Sequence, residues 1–462
     1  MTTDTAPARV VPAPPAAPGF VARLKRDTVG EPRASYVYLN NFEVERSWAR
    51  GEPTLPGARL SFATATVNRM EELGVLLADP GDVVVLKAAP DPGYADYLAT
   101  LALAEGRTLV VAGNDPVRSV TEDALADPAV VDILAGLADG HTYLAPLGIA
   151  AAEEELARRT GLPLAGPGAA VCKAVNGKMF SRRLVDATGL RRVPGAVCET
   201  VADLAAALDT LLRDGCRVVV KESLGVSGRG MVVLADRRRA DRLLRMLARA
   251  GADATVNLVA ERWIERATDL NYQFVVARTG AVRFETVKAA VVERGQHRGH
   301  RFPVDLPPDT RHELRRAAEI LGAELAAAGY FGMVGVDAIL DQDGVLYPCL
   351  EINARFNMST YGGRVEERFV GPGWHAVAAT FDLLPTRRHS FAELADALGG
   401  LLFDGTGAPG VLVSNFATLN AAATDDGRQF AGRVYAFCIA DDPTAARELR
   451  GQAAERLQAM AS

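Results

Sequence analysis

The sequence is poor in the features that mark disulfide scaffolds, zinc sites and membrane proteins. Its 5 cysteines among 462 residues are scattered, and no two of them form a CxxC pair. An odd number of isolated cysteines argues against a disulfide framework or a zinc site and favours a reducing compartment. No apolar run approaches ~18 residues, and no charged segment followed by an apolar run opens the chain. We therefore expect a cytoplasmic protein without a membrane partner.

The charge is also low for the length of the chain. There are 51 basic and 57 acidic residues, which gives a formal net charge of -6, and the two signs are interspersed. This balance argues against a general nucleic-acid binder. The composition, 49% hydrophobic and 23% charged, is that of a globular protein with room for two or three domains. Residues 1–19 are rich in Pro and Ala and are predicted to be a disordered tail.

Strand-like and helical segments alternate between residues 34 and 163. The runs SYVYLNNF, DVVVLKA, RTLVVAG and TYLAPLG read as strands, and this alternation predicts a mainly parallel sheet covered on both faces. No GxGxxG follows any of these strands, so a dinucleotide site is not indicated. Ligands of such folds bind beyond strand ends. The polar residues there are low-ranking candidates: Asn40, Asn41, Glu43, Lys87, Asn114 and Asp115.

A glycine-rich loop joins two strand-like runs within CRVVVKESLGVSGRGMVVLAD, residues 216–236. The first strand carries Lys221 near its end. The loop then contributes glycines, a hydroxyl and a cation: Gly225, Ser227, Gly228, Arg229 and Gly230. Glycines let backbone N–H groups approach an anion closely. The pattern GxxxxGK[ST] is absent and a strand follows, so the loop is predicted to be a flexible hairpin over phosphates, with an ordinary hairpin tip as the alternative.

Two further strands carry a cluster of oxygen ligands. FGMVGVDAIL and VLYPCLEIN read as strands joined by a DQDG turn, and alternation places Glu351 and Asn353 on one face. Together with Asp337 they form a hard-oxygen cluster of the kind that suits magnesium. Arg355 follows two residues later, where it could contact a phosphoryl group or a carboxylate. Solvated carboxylates near strand ends are the alternative.

The register of these two strands is left open by the sequence. If Leu340 faces Val345 in an uninterrupted hairpin, Asp337 lies opposite Pro348, which is ~10 Å along the strand from Glu351. Pro348 cannot donate a hydrogen bond to the ladder and could mark a bulge that changes the register.

Three other stretches contain candidate binding residues. ERWI, residues 261–264, links two strands and could present its backbone to a purine edge while Trp263 and Ile264 pack on the ring. Lys178 stands in the middle of a predicted helix and by itself would be a solvated surface lysine. After Lys288, residues 289–302 are rich in Arg, His and Gly and are predicted to form a loop, either solvated or a lid that excludes water.

These segments occur in an order that resembles the ATP-grasp superfamily over about residues 164–372. GVSGRGM is similar to the flap of biotin carboxylase-like members, and EINAR resembles their E-x-N-x-R metal motif. ERWI resembles the adenine hinge of D-alanine ligase-like members. The leading α/β region and the C-terminal segment further resemble bacterial natural-product peptide ligases of the pheganomycin type, which have a pre-ATP-grasp domain.

The resemblance implies a role for each matching residue. Lys178 and Lys221 would bind the α- and β-phosphates of ATP, and the loop Gly225–Gly230, the flap, would close over them. Glu261, Trp263 and Ile264 would hold adenine, and Asp269, or failing that Glu265, would hold the ribose. Asp337, Glu351 and Asn353 would bind two Mg²⁺ ions. The catalytic residues would be Lys288, which reaches the terminal phosphates, and Arg355, which stabilises the transferring phosphoryl group or the acyl intermediate.

The resemblance also implies a fold and an activity. The α/β fold would comprise a pre-ATP-grasp domain (20–163), an N-lobe (164–258), a C-lobe (259–372) and a C-terminal extension (373–462). The expected activity is ATP-dependent ligation of a carboxylate to an amine, both from amino acids or short peptides, through an acyl phosphate. The alternatives are carboxylase-type or phosphotransferase chemistry and a catalytically silent nucleotide-binding protein. A homodimer is one expectation, because members of the superfamily are often dimers.

Overall fold

The fold is built from three β-sheets and surrounding helices. A computed structural model describes residues 18–56, 65–213, 215–225, 230–251, 253–293, 296–424 and 426–462. Its strands are β1 Ser35–Leu39, β2 Val83–Leu86, β3 Arg107–Val110, β4 Thr142–Pro146, β5 Gly195–Thr200, β6 Val218–Glu222, β7 Met231–Leu234, β8 Thr255–Arg262, β9 Arg266–Val276, β10 Val282–Glu293, β11 Gln296–Phe302, β12 Gly332–Asp341, β13 Leu346–Asn353, β14 His375–Leu383, β15 Gly410–Asn415 and β16 Gly432–Ala440.

The helices cover the faces of these sheets. They are α1 Phe20–Val29, α2 Val44–Trp48, α3 Ala65–Asn68, α4 Pro92–Thr100, α5 Val120–Ala126, α6 Pro128–Ala135, α7 Ala151–Thr160, α8 Ala169–Val175, α9 Lys178–Thr188, α10 Val201–Leu211, α11 Arg237–Leu247, α12 Pro308–Ala327, α13 Met358–Tyr361, α14 Gly363–Phe369, α15 Phe391–Leu398 and α16 Pro443–Ala461. Within the described residues, no helix is both long and apolar enough to span a bilayer.

The first sheet is parallel, in the order β3-β2-β1-β4, as the alternating pattern predicted. All four residues of β2, VVVL, are buried, as is typical of a strand covered on both faces. The polar residues that follow these strands mainly form ion pairs and hydrogen bonds with other segments of the chain. The Lys87 ammonium lies 2.8 Å from an Asp123 carboxylate oxygen, and Asn40 Oδ1 accepts a 2.8 Å hydrogen bond from the Tyr361 hydroxyl.

The second sheet has eight strands in the order β13-β12-β9-β10-β11-β14-β16-β15, all antiparallel to their neighbours. Its last three strands, β14, β16 and β15, come from the C-terminal segment of the chain. The third sheet, β5-β8-β6-β7, is a separate antiparallel layer. It carries the flap between β6 and β7, and its core contains Leu204, Val220 and Leu258.

Two local predictions were wrong. The segment 289–302 was predicted to be a loop, but its described residues belong to the antiparallel strands β10 and β11, which join the large sheet. Pairing with β9 and β14 on either side overrides the low strand propensity of its Gly and charged residues. The helix predicted around Lys178 is two helices, because Asn176 and Gly177 end α8, and Lys178 is the first residue of α9.

Buried carboxyl groups make the stability of the fold depend on pH. Glu72 is part of the 3₁₀ helix Met70–Leu76, and its Oε2 accepts hydrogen bonds of 2.8 and 2.7 Å from the amides of Phe416 and Ala417, which follow β15. Burial raises the pKa of Glu72 from 4.5 to about 7. The folded state therefore favours the neutral carboxyl, and the free energy of unfolding decreases as the pH rises from 4.5 to 7.

We expect the variant Glu72→Gln to lose this pH dependence. Between pH 5 and pH 8 the wild type should lose stability on the order of 1–3 kcal/mol relative to the variant, which remains neutral throughout. Thermal melts of both proteins at each pH measure this difference. Glu448→Gln, at an exposed position, is the control, and its free energy of unfolding should differ from that of the wild type by the same amount at every pH. If the difference between Glu72→Gln and the wild type is equally independent of pH, the raised pKa of Glu72 is contradicted.

Candidate active site

Four polar side chains form a row across the large sheet. Glu351 on β13 is paired with Asp337 on β12, Asp337 with Asn271 on β9, and Asn271 with Lys288 on β10. Directly opposed residues of antiparallel strands point to the same face. Neighbouring strands are about 4.8 Å apart, so this polar row (Glu351, Asp337, Asn271 and Lys288) spans roughly 14 Å.

A bulge in β13 brings the two carboxylates together. Ile339 is paired with Tyr347, but Asp337 is paired with Glu351, so three residues of β13, Pro348 to Leu350, face the single residue Ala338. The Tyr272 hydroxyl donates a 2.9 Å hydrogen bond to the Pro348 carbonyl inside the bulge. The bulge that Pro348 suggested is thus confirmed, and the uninterrupted hairpin, which would separate the carboxylates, is excluded.

The carboxylates are held by amide and ammonium groups. Asp337 accepts hydrogen bonds from the side-chain amides of Asn271 at 2.8 Å and Asn353 at 3.3 Å. Glu351 Oε1 lies 2.7 Å from the Lys178 ammonium. Burial, followed by the charge of Glu351, raises the pKa of Asp337 to about 6. A cation bound between the two carboxylates would offset this repulsion.

The donor set fits magnesium. Among the described residues, no group of three or more His, Cys, Asp or Glu side chains is arranged to hold a metal. The site instead offers two carboxylates, the Asn353 amide and the buried Asn271 Oδ1, which has no hydrogen-bond partner in the described part of the chain. Magnesium takes few protein ligands and completes its octahedron with water and phosphate oxygens, so this small all-oxygen set suits it.

Asn271 was not among the residues that the sequence indicated. The available signal was the alternation of Asn271 and Gln273 with apolar residues in LNYQFVV, which marks one polar face of a buried strand. Its amide donates to one predicted magnesium ligand, Asp337, and its oxygen accepts no hydrogen bond from the described residues. Asn271 could therefore orient the predicted cation site or add a ligand to it.

We expect Asn271→Leu to weaken magnesium activation by about 10–100-fold, the usual cost of losing a group that orients a metal ligand. The measurement is a Mg²⁺ titration of ADP release. Thr268→Val on the same strand is the matched control, because residues an odd number apart point to opposite faces. Unchanged magnesium dependence in the Asn271 variant would remove this residue from the site.

The two lysines predicted to bind phosphate are held by carboxylates. Lys178, at the start of α9, contacts Gly225 O at 2.9 Å as well as Glu351. Lys221, on β6, lies 2.7 Å from Glu261 Oε2. Burial lowers the pKa of Lys221, but the charge and hydrogen bond of Glu261 outweigh it, so its pKa is raised. Both ammonium groups therefore lie next to anionic oxygens.

Helix α9 connects β8, through the predicted adenine residue Glu261, to β13, which carries the predicted magnesium ligands Glu351 and Asn353. Arg182 Nη1 lies 3.2 Å from Glu261 Oε1, and the Ser181 hydroxyl accepts a 3.1 Å hydrogen bond from the Ile352 amide. The flap begins at Gly225 and ends at Gly230, whose φ is +74°, and a Cβ there would lie 2.2 Å from Glu222 Oε2. Glycine is therefore required at that end. Ser227, Gly228 and Arg229 lie outside the described residues.

The predicted adenine and ribose residues lie together where β8 passes into β9. The Trp263 ring is flanked by the guanidinium groups of Arg217, 5.3 Å from its centroid, and Arg266, 4.7 Å from it. Glu265 pairs with Arg217, and Asp269 accepts a 2.8 Å hydrogen bond from Arg266. Ile264 is half-buried beside them. Their roles toward a nucleotide stay predictions.

Lys288 and Arg355 lie at the opposite end of the site from the flap. Lys288 is buried, with its ammonium 3.1 Å from Glu366 Oε2, 3.2 Å from Ser359 O and 4.2 Å from the Phe302 ring centroid. Arg355 donates a 3.0 Å hydrogen bond to Asn353 Oδ1 and pairs with Glu45 of α2. Because Lys178 lies beside Glu351, the site thus contains cations on both sides of the carboxylate pair.

A large cavity of about 480 Å³ adjoins Lys288 and Arg355. Its walls come mainly from three parts of the chain: the segment around α2 and the 3₁₀ helix, Lys288 and Arg355 with α13, and the strands β11, β14 and β16. Lys178, Lys221, Glu351 and Asp337 do not line it. The cavity therefore lies on the side of the site opposite to Lys178 and Lys221.

Comparison with known proteins identifies the same two regions. A pre-ATP-grasp domain model matches residues 70–162, and an ATP-grasp domain model matches residues 192–359. A [butirosin acyl-carrier protein]–L-glutamate ligase from Niallia circulans is 27% identical over 333 residues, which are 70% of this chain and 72% of that protein.

Solved structures resemble the whole fold. An N5-carboxyaminoimidazole ribonucleotide synthetase in complex with ADP aligns with a TM-score of 0.52 at 13% identity, over 91% of this chain and 96% of that chain. The biotin carboxylase domain of 2-oxoglutarate carboxylase from Hydrogenobacter thermophilus aligns with a TM-score of 0.53 at 15% identity, over 91% and 89%. Identities this low show the fold alone. With its pre-ATP-grasp and ATP-grasp domains, the chain belongs to the ATP-grasp family of ligases.

Proposed function

We propose that this enzyme joins a carboxylate to an amine through an acyl phosphate, with release of ADP and phosphate, in the biosynthesis of a natural product. The observation that carries the proposal is the polar row, which has the carboxylate pair at one end and Lys288 at the other, beside a cavity large enough for a substrate. The named activity of the Niallia circulans relative, a glutamate ligase of butirosin formation, supports an amino-acid substrate and a natural-product pathway.

In the proposed first step, a substrate carboxylate oxygen attacks the γ-phosphorus of ATP, and the bond from that phosphorus to the β–γ bridging oxygen breaks. Lys178 and Lys221 would neutralise the triphosphate, leaving Glu351 and Glu261 as they do so. Asp337, Glu351 and Asn353, with Asn271 beside them, would hold Mg²⁺, which supplies charge neutralisation at the phosphate oxygens. Arg355 would exchange Glu45 for the substrate carboxylate or the transferring phosphoryl group.

In the second step, the amine attacks the acyl carbon, the bond to the phosphate oxygen breaks, and the amine loses a proton. No protein nucleophile is required, because positioning and charge stabilisation supply the catalysis. Lys288 lies buried at the inner end of the cavity, where it would stabilise the departing phosphate. The proposed roles of the magnesium, nucleotide and catalytic residues are supported by the resemblance of their motifs and by their fit to these two steps.

The test traps the intermediate. The protein is incubated with ATP, Mg²⁺, hydroxylamine and a panel of amino acids and short peptides, and both ADP and hydroxamate are measured. Hydroxylamine attacks an acyl phosphate whatever the natural amine is, so the acceptor need not be known. Equal amounts of ADP and hydroxamate are expected.

The other outcomes separate the alternatives. A stable phosphorylated product with ADP but no hydroxamate would indicate a phosphotransferase. Carboxylation that depends on bicarbonate would indicate carboxylase-type chemistry. ATP binding without turnover of any member of the panel would indicate a silent nucleotide-binding protein. Each of these results would contradict the proposed ligase.

A further inference from the structure

The wall of the large cavity made by β14 and β16 has a regular order. Three cross-strand pairs follow one another along these strands: Ala378 with Phe437, Thr380 with Tyr435, and Asp382 with Arg433. All six residues line the cavity, together with their chain neighbours Ala379 and Ala436. Successive pairs are two residues apart, so the wall is roughly 13 Å long.

One end of this wall lies beside Lys288. The Phe437 ring packs edge-on against Phe302, with 6.1 Å between centroids, and the Lys288 ammonium lies over that same Phe302 ring. A Cβ placed on Gly362 would lie 3.0 Å from the Phe437 ring and 3.4 Å from the Lys288 ammonium. Phe437 is therefore a neighbour of Lys288, the group expected to act on the transferred phosphate.

The other end of the wall is polar. Arg433 donates to Asp382 Oδ1 at 2.6 Å and to the Tyr435 hydroxyl at 3.4 Å. The Tyr435 hydroxyl in turn lies 3.3 Å from Met70 Sδ on the facing wall. The Asp382 side chain is 52% exposed, so this end is the rim of the cavity.

Between the two ends the facing wall is mainly apolar. Its apolar side chains are those of Phe42, Val67, Met70 and Leu73, and the Phe42 ring lies 5.5 Å from the Tyr361 ring. Glu43, Glu45 and Arg46 line the cavity from the same segment. The small side chain of Ala378 leaves space opposite these residues. A ligand that fills the cavity therefore meets cations first, then an apolar slot, and finally a polar rim.

We propose that the carboxylate substrate is an extended, peptide-sized acid with an apolar segment behind its reacting carboxylate, and that β14 and β16 select it. The inference rests on the proposed ligase function. An extended chain advances about 3.3–3.6 Å per residue, so a wall of about 13 Å fits three to four residues, and a free amino acid leaves most of it empty. The cavity falls in the range of roughly 300–1,000 Å³ typical of ligand sites.

This proposal assigns specificity to a segment that neither matched domain covers. The ATP-grasp match ends at residue 359, and the strands β14 and β16 begin at His375 and Gly432. The nucleotide and metal residues lie within the matched region or just before it. Substrate choice could therefore change through β14 and β16 without any change in the polar row.

The test compares free amino acids with peptides of increasing length. L-phenylalanine, Ala-Phe and Ala-Ala-Phe are used as carboxylates with hydroxylamine as acceptor, alongside Gly-Gly-Gly, which lacks the apolar segment. We expect kcat/KM for Ala-Ala-Phe to exceed that for L-phenylalanine and for Gly-Gly-Gly at least about tenfold. Equal values for the free amino acid and the peptides would overturn the proposal.

Substitutions in the wall formed by β14 and β16 test whether this wall causes the preference for peptides. Ala378→Leu narrows the slot and is expected to raise KM for Ala-Ala-Phe about tenfold or more while the KM for ATP stays within about twofold. Thr380→Leu, one pair further along, provides a second variant in case the first fails to fold. Leu384→Ala is the matched control, because Leu384 follows β14 and is 59% exposed. Variants that leave the peptide KM unchanged would overturn the proposal.

A binding measurement separates this inference from the ligase function. Calorimetric titration of Ala-Ala-Phe into protein saturated with Mg²⁺ and a non-hydrolysable ATP analogue needs no turnover. Weaker binding to Ala378→Leu without any hydroxamate formation would support the cavity assignment and contradict the ligase. Hydroxamate formation with no dependence on peptide length or on Ala378 would support the ligase and contradict the cavity assignment. Absence of binding to both proteins would also contradict the cavity assignment.

Discussion

Replacing Glu351 by glutamine is expected to reduce ADP release about 10³-fold while the protein remains folded. Glutamine keeps the size of the side chain but removes the charge that pairs with Lys178 and, with Asp337, forms the carboxylate pair. A loss of this size is typical when a group that stabilises developing charge is removed. The measurement is kcat for ADP and hydroxamate formation at saturating ATP and magnesium.

The stability of this variant should change little. The Glu351 side chain is 26% exposed, and Lys178 keeps its contact with Gly225 O, so no charge is left buried without a partner. Thermal melts test this expectation. Glu324→Gln, on an exposed face of α12, is the matched control and should retain full activity. Full activity in Glu351→Gln would remove the carboxylate pair from the mechanism.

Replacing Lys288 by methionine is expected to reduce kcat about 10²–10³-fold with little change in the KM for ATP. Methionine fills the space of the aliphatic stem against Phe302 but carries no charge. Because Lys288 lies at the cavity end of the polar row, its loss should affect transfer of the phosphoryl group more than nucleotide binding. Separate determination of kcat and KM checks this.

The control for Lys288 is Lys173→Met, because Lys173 is 40% exposed and pairs with Glu52 outside the cavity. It should retain activity. Loss of Lys288 removes the ammonium group beside Glu366 Oε2 but leaves the hydrogen bond from the Thr286 hydroxyl to Glu366 Oε1, so a modest fall in melting temperature is expected. An increase in KM for ATP with unchanged kcat would instead assign Lys288 to nucleotide binding.

The sequence predicted the components of the site better than their arrangement. EINAR and the preceding strand with Asp337 were recognisable because alternation along a strand is a local property. The parallel first sheet followed in the same way from buried apolar runs separated by helices. Lys178 could be recognised by its motif, although Asn176 and Gly177 move it from the middle of a helix to the start of one.

What the sequence could not predict depends on contacts between distant segments. The pairing of Asp337 with Glu351 requires two extra residues in β13, and nothing local fixes how many residues a bulge near Pro348 takes up. Asn271 joins the site only because β9 lies between β10 and β12. The same holds for Phe437, which reaches Lys288 through β14 and β11.

The central claim is that Asp337 and Glu351 hold a divalent cation beneath the phosphates of a nucleotide bound under the flap. A crystal structure with Mg²⁺ and a non-hydrolysable ATP analogue tests it most directly. We predict a cation about 2.0–2.1 Å from oxygens of both carboxylates, with phosphate oxygens completing its coordination and Lys178 and Lys221 turned toward the triphosphate. A triphosphate bound elsewhere, or carboxylates that contact no cation, would contradict the claim.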